Sequence, residues 1–402
     1  MFAIHVFNVG LGDSIILETK IDDKFYYSII DCKKVGSTSP VVKFLKENNI
    51  KNIHSLFLTH FHADHCSGLP QLRDYLLENK GTLEFFISPY LPDELELKKR
   101  LWSILYNDST RAQRKDIIEA LGDIKKLSSR GHDDKKVFPV RILYEGNKTP
   151  SAWQSHLHPG LLFAPLNPTS QEAFQYLNSV ISKAELGGQA INSLSHAFIV
   201  QYNSSTDAAP GVDVGAAPQN TPGSASDKAI AIAAFTGDLE GKAWRTVKNR
   251  CLGITQNAVK SRLRFLKVSH HGALNPCMEE IMAEMIDPQT KFVASISCPP
   301  GKIEHPHERT LKFLKTQFPH CEIACTNITS YCYTHGHPCI PQSLLQQTEK
   351  DIDFIECAMS GQPLNTPMTQ PGACAGDHTF TIAGIADHEY TLERSTGLPC
   401  AL

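Results

Sequence analysis

The residue types that can do chemistry are concentrated between residues 60 and 65, where three histidines and one aspartate occur within six positions. His60 and His62 are two residues apart, so an extended chain points both rings to the same side. Asp64 and His65 come one turn later and can face a second ion. Imidazole and carboxylate groups are what Zn²⁺ or a similar ion takes in a catalytic site. The spacing predicts a two-metal centre rather than a polar loop with incidental histidines.

Two divalent ions in such a centre would bind a water molecule, lower its pKa to about 7 and stabilise the developing oxyanion. We expect Zn²⁺ in this centre, with Mn²⁺ as the alternative. Asp64 can align the resulting hydroxide while it ligates metal, and the leaving group then needs only a proton donor. The predicted chemistry is hydrolysis by a metal-activated hydroxide.

Three histidines further along the chain are candidates for the donor role or for a ligand role. His270 and His271 end a predicted strand, where adjacent side chains point in different directions. One of them can therefore ligate metal while the other donates a proton or contacts the substrate. His305 precedes Pro306, which favours an extended backbone. We regard His270 and His305 as the alternative proton donors.

Residues 60–65 follow the pattern H-x-H-x-D-H, and with this string the chain resembles the metallo-β-lactamase superfamily. Residues 235–238 (Phe-Thr-Gly-Asp) resemble the strand-end motif whose carboxylate bridges both ions. Residues 268–272 and 305–306 resemble the His-His-Gly and His-Pro motifs of one branch of that superfamily. This branch is the competence or DNA-internalisation type, named for the catalytic domain of ComEC.

The resemblance covers about residues 3–335 and is interrupted by insertions. Residues 8–13 are similar to the opening turn of the branch, and residues 192–195 to its Asn-x-x-Ser motif. The membrane-spanning part of the competence proteins has no counterpart in this chain. The resemblance implies six metal ligands, which are His60, His62, Asp64, His65, Asp238 and His271.

One departure from the family pattern affects the first ion. Many superfamily members have a histidine where this chain has Asn192, so the first ion keeps His60, His62 and Asp238 as ligands. His196 lies nearby in the sequence. It either substitutes for the missing ligand or faces the opposite side of its strand.

Further polar residues are candidates to orient a ligand or to contact the substrate. Asp13 lies in the predicted turn and Asp31 follows a predicted strand. Each either orients a ligand histidine or has a plain turn or capping role. Asn192 and Ser195 belong to the same candidate set because of the Asn-x-x-Ser resemblance, and His196 because it lies next to them in the sequence.

A basic segment lies between Asp238 and His270. It carries eight Lys and Arg residues, and no acidic residue occurs from Gly241 to Met278. Lys242 and Arg245 are the candidate contacts to the phosphates of an anionic substrate, which could be DNA or RNA. The alternative is a solvated basic helix face without a ligand.

The overall composition limits the class of protein. A net charge of −3 over 402 residues excludes a polycation that coats nucleic acid indiscriminately. The first residues do not resemble a signal peptide, and the chain contains no apolar run near 18 residues, so we predict no membrane segment. The 12 scattered cysteines fit free thiols in the cytoplasm. The Cys/His-rich segment 321–339 contains either such thiols or a structural zinc site.

Strands and helices alternate along the chain, with predicted strands at 2–7, 14–18, 26–31, 55–59, 197–202, 229–235, 265–269 and 292–297. Predicted helices cover 40–49, 93–128, 242–253 and 309–317. This order predicts an α/β (α+β) protein, and the resemblance implies the metallo-β-lactamase αββα sandwich. We expect a catalytic domain over 1–340 with helical and loop insertions at 92–190 and 204–228. A small C-terminal extension follows at 341–402, with a terminal hairpin near 379–392.

The leading functional hypothesis is hydrolysis of phosphodiester bonds in nucleic acid or a nucleotide. It depends on the competence-type resemblance and on the basic segment. A second hypothesis keeps the hydrolase but assigns a small ester, thioester or lactam as substrate. A third is a non-catalytic metal-binding scaffold, against which the nearly intact ligand set argues.

Overall fold

The structure is a computed structural model that describes residues 1–88, 110–130, 158–168, 192, 194–202, 231–241, 243–249, 262–299, 305–327, 377–382 and 390–394. The described strands form two sheets. The first sheet has the order β13-β12-β1-β2-β3-β4-β5. Its strands are β1 (Phe2–Val6), β2 (Ser14–Ile21), β3 (Lys24–Cys32), β4 (Asn52–Phe57), β5 (Thr82–Ile87), β12 (His378–Ile382) and β13 (Tyr390–Arg394).

The second sheet has the order β11-β10-β9-β8-β7-β6. Its strands are β6 (Leu161–Asn167), β7 (Ala197–Tyr202), β8 (Ala231–Phe235), β9 (Leu263–Lys267), β10 (Phe292–Ile296) and β11 (Cys321–Cys325). Strands β8 to β11 are mutually parallel, as are β3 to β5 in the first sheet. Parallel strands send their carboxyl ends to one edge of a sheet, and that edge carries the candidate site.

The two sheets pack face to face through a layer of buried apolar side chains. Phe57 of the first sheet stacks on Phe163 and Phe198 of the second, with ring centroids 5.0 and 5.1 Å apart. Phe380 of β12 and Phe265 of β9 continue the same layer. Because alternate residues of a strand point to opposite faces, the other face of each sheet needs its own cover.

Helices provide that cover on both outer faces. On the first sheet lie α1 (Pro40–Glu47), α3 (Leu69–Glu78) and α4 (Arg111–Arg130). On the second lie α5 (residues 243–249), α6 (Pro276–Met285) and α7 (Glu308–Gln317). The order of layers is helix, sheet, sheet and helix, so the predicted mixed α/β sandwich is confirmed.

Local sequence explains where two of these helices begin. The Ser39 side chain caps α1 by accepting from the backbone N–H of Val42, and Pro40 is the first helical residue. Asn275 caps α6 in the same way through the N–H of Met278. A shorter helix, α2 (Ala63–Cys66), follows the extended residues 58–62 and carries two of the predicted metal ligands.

Several described elements were not predicted from the sequence, among them α2, α3, β5, β6 and α6. Residues 131–170 look irregular in sequence, yet Leu161–Asn167 is the edge strand of the second sheet. Strand β4 ends at Phe57, two residues before the predicted end. The predicted loop at 204–228, residues 93–109 and residues 332–339 of the Cys/His-rich segment lie outside the described residues.

The C-terminal hairpin is confirmed and belongs to the first sheet. Strand β12 pairs antiparallel with β13 and also with β1. The boundary at 340 stays a prediction, but the described part of the extension is built into the same sheet. Within the described ranges, no helix has both the length and the apolar character needed to cross a membrane.

Candidate metal centre

The predicted ligands meet at one end of the sandwich, beyond the carboxyl ends of four parallel strands. Asp31 lies at the end of β3, and the segment with His60, His62, Asp64 and His65 follows β4. Asp238 follows β8, and His271 follows β9. Two sheets thus contribute residues to one site.

Among the residues that the structure describes, the ligand atoms form three groups in which every atom lies within 4.8 Å of the others. The first group consists of Asp64, His65, Asp238 and His271, and the second of His60, His62 and Asp64. The third group is Asp13, Asp31 and His65. Asp64 belongs to the first two groups, which places it between two candidate ion positions.

Asp238 also lies between these positions. Its Oδ2 is 3.8 Å from Nε2 of His60 and 3.4 Å from Nε2 of His271. Its Oδ1 is 3.4 Å from Nε2 of His65. Oδ2 thus faces one histidine from each of the first two groups, which lets this carboxylate reach both candidate ion positions.

The buried atoms at the centre test whether ions fit there. Among the described residues, Nε2 of His65, Nε2 of His271 and Oδ1 of Asp238 are buried and make no hydrogen bond. Burying a polar atom without a partner costs about 1–3 kcal/mol, and folded proteins rarely leave several such atoms together. Nitrogen and carboxylate oxygen are the donors that Zn²⁺ and Mn²⁺ accept. The residues therefore fit a pair of divalent ions.

Hydrogen bonds on the far side of two rings fix which nitrogen faces the centre. Nδ1 of His65 donates to Oδ2 of Asp31 at 2.7 Å. Nδ1 of His271 contacts the carbonyl oxygen of Ser297 at 3.0 Å. A proton held on Nδ1 leaves the Nε2 lone pair free for a metal.

Thr59 fixes the Asp31 carboxylate in turn. Its backbone N–H donates to Oδ1 of Asp31 at 2.7 Å, and its hydroxyl donates to Oδ2 at 2.6 Å. Asp31 adopts a left-handed backbone with φ of 56°. Sequence reasoning missed Thr59, although it directly precedes the histidine motif.

Carboxylate charge dominates the electrostatics of the centre. Burial alone would lower the pKa of His65, but the carboxylates of Asp238, Asp31 and Asp64 raise it well above its ordinary value. Burial likewise opposes the effect of Asp238 on His271, whose pKa is raised to about 9. Both rings thus respond to an excess of negative charge, which would also attract a cation.

The pKa of His60 moves in the other direction. Burial, reinforced by the nearby charge of His65, lowers it well below its ordinary value. A ring kept neutral in this way retains a lone pair for metal binding. Nε2 of His60 contacts Nδ1 of His62 at 3.1 Å, so the two rings converge as their spacing predicted.

Close backbone contacts hold the segments of the site together. Gly12 has φ of +113°, and a Cβ atom there would lie 2.0 Å from the carbonyl oxygen of Asp64. Gly237 has φ of +48°, and a Cβ atom there would lie 2.9 Å from Cβ of Thr59. Larger side chains at these two positions would push the motif segments apart.

His270 lies on the more open side of the centre. Its Nδ1 forms an ion pair with Oε1 of Glu240, and its ring centroid is 5.4 Å from that of His305. The amide of Asn192 donates to the same Glu240 oxygen at 3.5 Å. Both His270 and His271 adopt left-handed backbone conformations, with φ of 46° and 54°. Non-glycine residues seldom adopt this conformation, and such strain is concentrated at functional sites.

Glu240 is a contact that sequence reasoning missed. It lies two residues after Asp238, and this proximity to a predicted ligand was the available signal. Its carboxylate faces Nδ1 of His270, so Nε2 of that ring points elsewhere. Glu240 is thus the acidic partner of His270 and also the hydrogen-bond acceptor of Asn192. It belongs to none of the three ligand groups of the described residues.

Two further candidates lie behind the ligands. The hydroxyl of Ser195 accepts from the backbone N–H of Asp238 at 3.1 Å. The backbone N–H of His196 donates to the carbonyl oxygen of Thr59 at 2.8 Å. Burial lowers the pKa of His196 to about 3. His196 belongs to none of the three ligand groups of the described chain.

The basic segment is not a single exposed surface in its described part. Lys267 is buried, with its Nζ 2.9 Å from Oδ1 of Asp13. Lys248 forms an ion pair with Glu284, which lies outside the acid-free segment in sequence but beside it in space. Arg245 is exposed on α5. Lys242 lies outside the described residues.

Comparison with known proteins agrees with this architecture. Residues 30–80 match the model of the metallo-beta-lactamase superfamily, a segment that contains the H-x-H-x-D-H motif. No curated protein matches the chain. The match supports the resemblance to the superfamily, and the competence-type branch stays a prediction.

Two solved structures are similar to the chain. One is the metallo-beta-lactamase fold protein YhfI from Bacillus subtilis, with 10% identity, coverage of 81% of this chain and 96% of that chain, and a TM-score of 0.37. The other is described as a new diphosphatase from the PhnP family. It has 11% identity, coverage of 81% of this chain and 95% of that chain, and a TM-score of 0.33.

Proposed function

We propose that this protein is a dinuclear metal-dependent hydrolase that cleaves phosphodiester bonds in nucleic acid or a nucleotide. The observation that carries the metal part is the convergence of buried, unbonded ring nitrogens of His65 and His271 on both sides of Asp238. Two divalent ions bound there would supply a water of lowered pKa and positive charge for the transition state. We expect Zn²⁺, with Mn²⁺ as the alternative.

The two ligand groups divide the work of holding the ions. His60 and His62 would hold the first ion, and His65 and His271 the second. Asp64 and Asp238 would contact both. Asp31 and Ser297 keep the rings of His65 and His271 turned so that Nε2 faces the ions. A fixed orientation matters because a displacement of about 1 Å can cost 100-fold in rate.

His270 is the proton donor that the geometry favours. Its Nδ1 lies beside the Glu240 carboxylate, which orients the ring and leaves Nε2 to face the leaving oxygen of a bound substrate. Its side chain is about one quarter exposed, at 24%, so a substrate can reach it. His305 lies beside it and is the alternative donor.

The proposal of an anionic substrate depends on exposed basic residues in the segment between Asp238 and His270. Arg245 is exposed on α5, which follows Asp238 in the chain. Lys242 is the second candidate contact. Lys248 and Lys267 form ion pairs with Glu284 and Asp13, so they are not available to bind phosphate groups. The surface that could bind an anionic substrate is therefore smaller than the sequence implied. A nucleotide or a short oligonucleotide fits that surface better than a long duplex.

A substrate panel tests the proposal. Protein loaded with Zn²⁺ or Mn²⁺ is incubated with single-stranded DNA, duplex DNA, RNA, bis-p-nitrophenyl phosphate, p-nitrophenyl phosphate and a lactam. We expect turnover of the phosphodiesters, loss of turnover in EDTA and recovery on addition of metal.

The panel separates the rival functions. Turnover of the lactam or of a thioester alone would assign a small neutral substrate. Metal binding without turnover of any substrate would assign a non-catalytic scaffold. Undiminished activity in a metal-free preparation would contradict the metal centre itself.

A further inference from the structure

The third ligand group, Asp13, Asp31 and His65, has the composition of a metal site. Unlike the first group, its carboxylates contact N–H and ammonium groups of the chain. Oδ2 of Asp31 already accepts from Nδ1 of His65. Oδ1 of Asp13 lies 2.9 Å from Nζ of Lys267. Both carboxylates of this group thus have cationic or N–H partners from the chain itself.

Lys267 is unusual in its burial. It is the final residue of β9, a central strand of the second sheet, and its side chain is 1% exposed. It is the one lysine among the described residues that is buried. Its Nζ also donates to the carbonyl oxygen of Val268 at 3.2 Å. A buried ammonium is unfavourable unless it is paired, and Asp13 is the partner in contact with it.

Asp13 connects this pair to the metal centre. Its backbone N–H donates to the carbonyl oxygen of Asp64 at 3.3 Å, and Gly12 packs against the same carbonyl. The Lys267–Asp13 ion pair therefore joins the second sheet to the turn that contacts Asp64. Asp13 thus contacts Lys267 through its side chain and Asp64 through its backbone.

We propose that Lys267 is a positioning residue that acts as the resident cation of the third group. Its ammonium neutralises Asp13, holds that carboxylate away from the metal centre and so limits the number of bound ions to two. The inference rests on the proposed metal centre, but the ion pair itself exists without metal. It also replaces the phosphate-binding role that the sequence suggested for this lysine.

The chemistry of the group explains why such a cation is needed. Asp13, Asp31, Asp64 and Asp238 lie close together at the end of the sandwich, and each is a potential metal ligand. A group of carboxylates without a resident cation would compete for divalent ions and spread them over several positions. An ammonium has a fixed position because it is covalently attached to β9, so it cannot exchange with solvent ions.

The test uses wild type, Lys267→Ala, Asp13→Asn and the double variant Asp13→Asn/Lys267→Ala. Each protein is saturated with Zn²⁺, dialysed against metal-free buffer and analysed for zinc per chain by atomic emission. We expect two ions per chain in wild type and in the double variant. We expect a third ion in Lys267→Ala, since the freed Asp13 carboxylate and the vacated space can then hold one.

The melting temperatures of the metal-free proteins test the Lys267–Asp13 ion pair independently of metal binding. Each single variant leaves a buried charge without its partner, which we expect to lower the melting temperature by about 5 °C or more. The double variant should melt above Lys267→Ala because neither charge remains. If Lys267→Ala does not fold, the same comparison is made with Lys267→Met, which fills the space of the stem.

Two results would overturn the inference. One is a zinc content of two in Lys267→Ala, because the lysine would then not limit the number of ions. The other is a double variant that melts no higher than Lys267→Ala, because the two side chains would then not act as a pair. Wild type that binds no zinc would instead contradict the proposed function, and with it the limit on ion number, even where the melting data still show the pair.

Discussion

Two buried histidine sites in this molecule differ in how their ring nitrogens are satisfied. The first site is His158, which packs against β2 and β3 of the first sheet. Both of its ring nitrogens contact hydroxyl groups. Nε2 is 2.8 Å from the hydroxyl of Thr19, and Nδ1 is 2.5 Å from that of Ser28. At the candidate metal centre, His65 has a hydrogen bond on Nδ1 only, and its Nε2 is buried without one, 3.4 Å from Oδ1 of Asp238. The first ring is complete within the protein, and the second requires a further group.

The pKa values of the two rings move in opposite directions although both rings are buried. Burial, with a smaller effect from His54, lowers the pKa of His158 well below its ordinary value. Burial acts on His65 as well, but three carboxylates outweigh it and raise the pKa. Burial of a histidine therefore does not indicate function. The informative features are an unbonded nitrogen and an excess of nearby carboxylates.

The largest expected effect comes from removing the carboxylate between the two ion positions. Asp238→Ala should lower the activity by more than about 1000-fold, because neither ion would keep its shared ligand. Bound metal per chain should fall in parallel, as measured by atomic emission. The exposed His320→Ala is the matched control and should keep both properties. An Asp238→Ala protein with wild-type metal content would contradict the bridging assignment.

The adjacent histidines should separate metal binding from catalysis. His270→Ala should keep the bound metal and lose about 100-fold in kcat, because it removes the proton donor. His271→Ala should lower the metal content, because its Nε2 faces Asp238. The measurements are zinc per chain and kcat on bis-p-nitrophenyl phosphate. Equal loss of metal in both variants would show that the assignment of the two rings is wrong.

A variant of Glu240 sharpens that result. Glu240→Gln keeps the shape of the side chain but removes the charge that faces Nδ1 of His270. It should reduce kcat less than His270→Ala does, and it should leave the zinc content unchanged. A loss of zinc in Glu240→Gln would instead assign the carboxylate to ion binding.

The His158 site should influence stability and its pH dependence without affecting metal. Because its folded pKa lies below the unfolded value of about 6.5, the unfolded state binds more protons at mildly acid pH. The contribution of His158 is therefore fully present above about pH 6.5 and decreases as the pH falls below it, by up to about 1.4 kcal/mol per pH unit.

The measurement is the difference in urea unfolding free energy between metal-free wild type and His158→Gln from pH 8 to pH 5. This difference should be constant in the upper part of the range and shrink in the lower part. Zinc per folded chain should be the same in both proteins. A difference that grows toward acid pH would contradict the neutral state of the buried ring.

The smallest expected effect concerns the substrate surface. Lys242→Glu/Arg245→Glu should raise KM several-fold for a single-stranded oligonucleotide and should leave kcat on bis-p-nitrophenyl phosphate unchanged. KM for the oligonucleotide should rise with salt, with a slope of about 0.7 on logarithmic axes for each phosphate contact. The exposed pair Lys24→Glu/Lys51→Glu, which changes the net charge by the same amount, serves as the charge-matched control. A flat salt response that is equal in all three proteins would favour a small neutral substrate.

The comparison also explains which parts of the site the sequence could predict. The convergence of His60 and His62 was predictable because local spacing decides it. The orientation of His65 depends on Asp31, which is 34 positions away, and that of His271 on the Ser297 carbonyl, 26 positions away. Such contacts arise only when the two sheets pack. The His158 contacts with Thr19 and Ser28 are equally distant in sequence and were not predicted.

Lys267 shows how a sequence pattern can suggest the wrong environment. In sequence it belongs to an acid-free basic segment, and we interpreted that segment as a possible phosphate-binding surface. In the structure it ends a strand that has neighbouring strands on both sides and cover on both faces. Its side chain therefore pairs with Asp13, which precedes it by about 250 positions and lies in the turn before β2 of the other sheet.

The pairing of β12 with β1 has a consequence for synthesis on the ribosome. Thr379, which contacts His5, lies 374 positions further along the chain, so β1 emerges long before its partner strand does. Until then, the outer edge of β1 exposes unpaired N–H and C=O groups, which readily pair with another chain. Asp377 also accepts from the backbone N–H of Asn8, in the turn that leads to Asp13. The nascent protein thus needs its hairpin to protect that edge, and a chaperone that binds extended strands would be most useful during this interval.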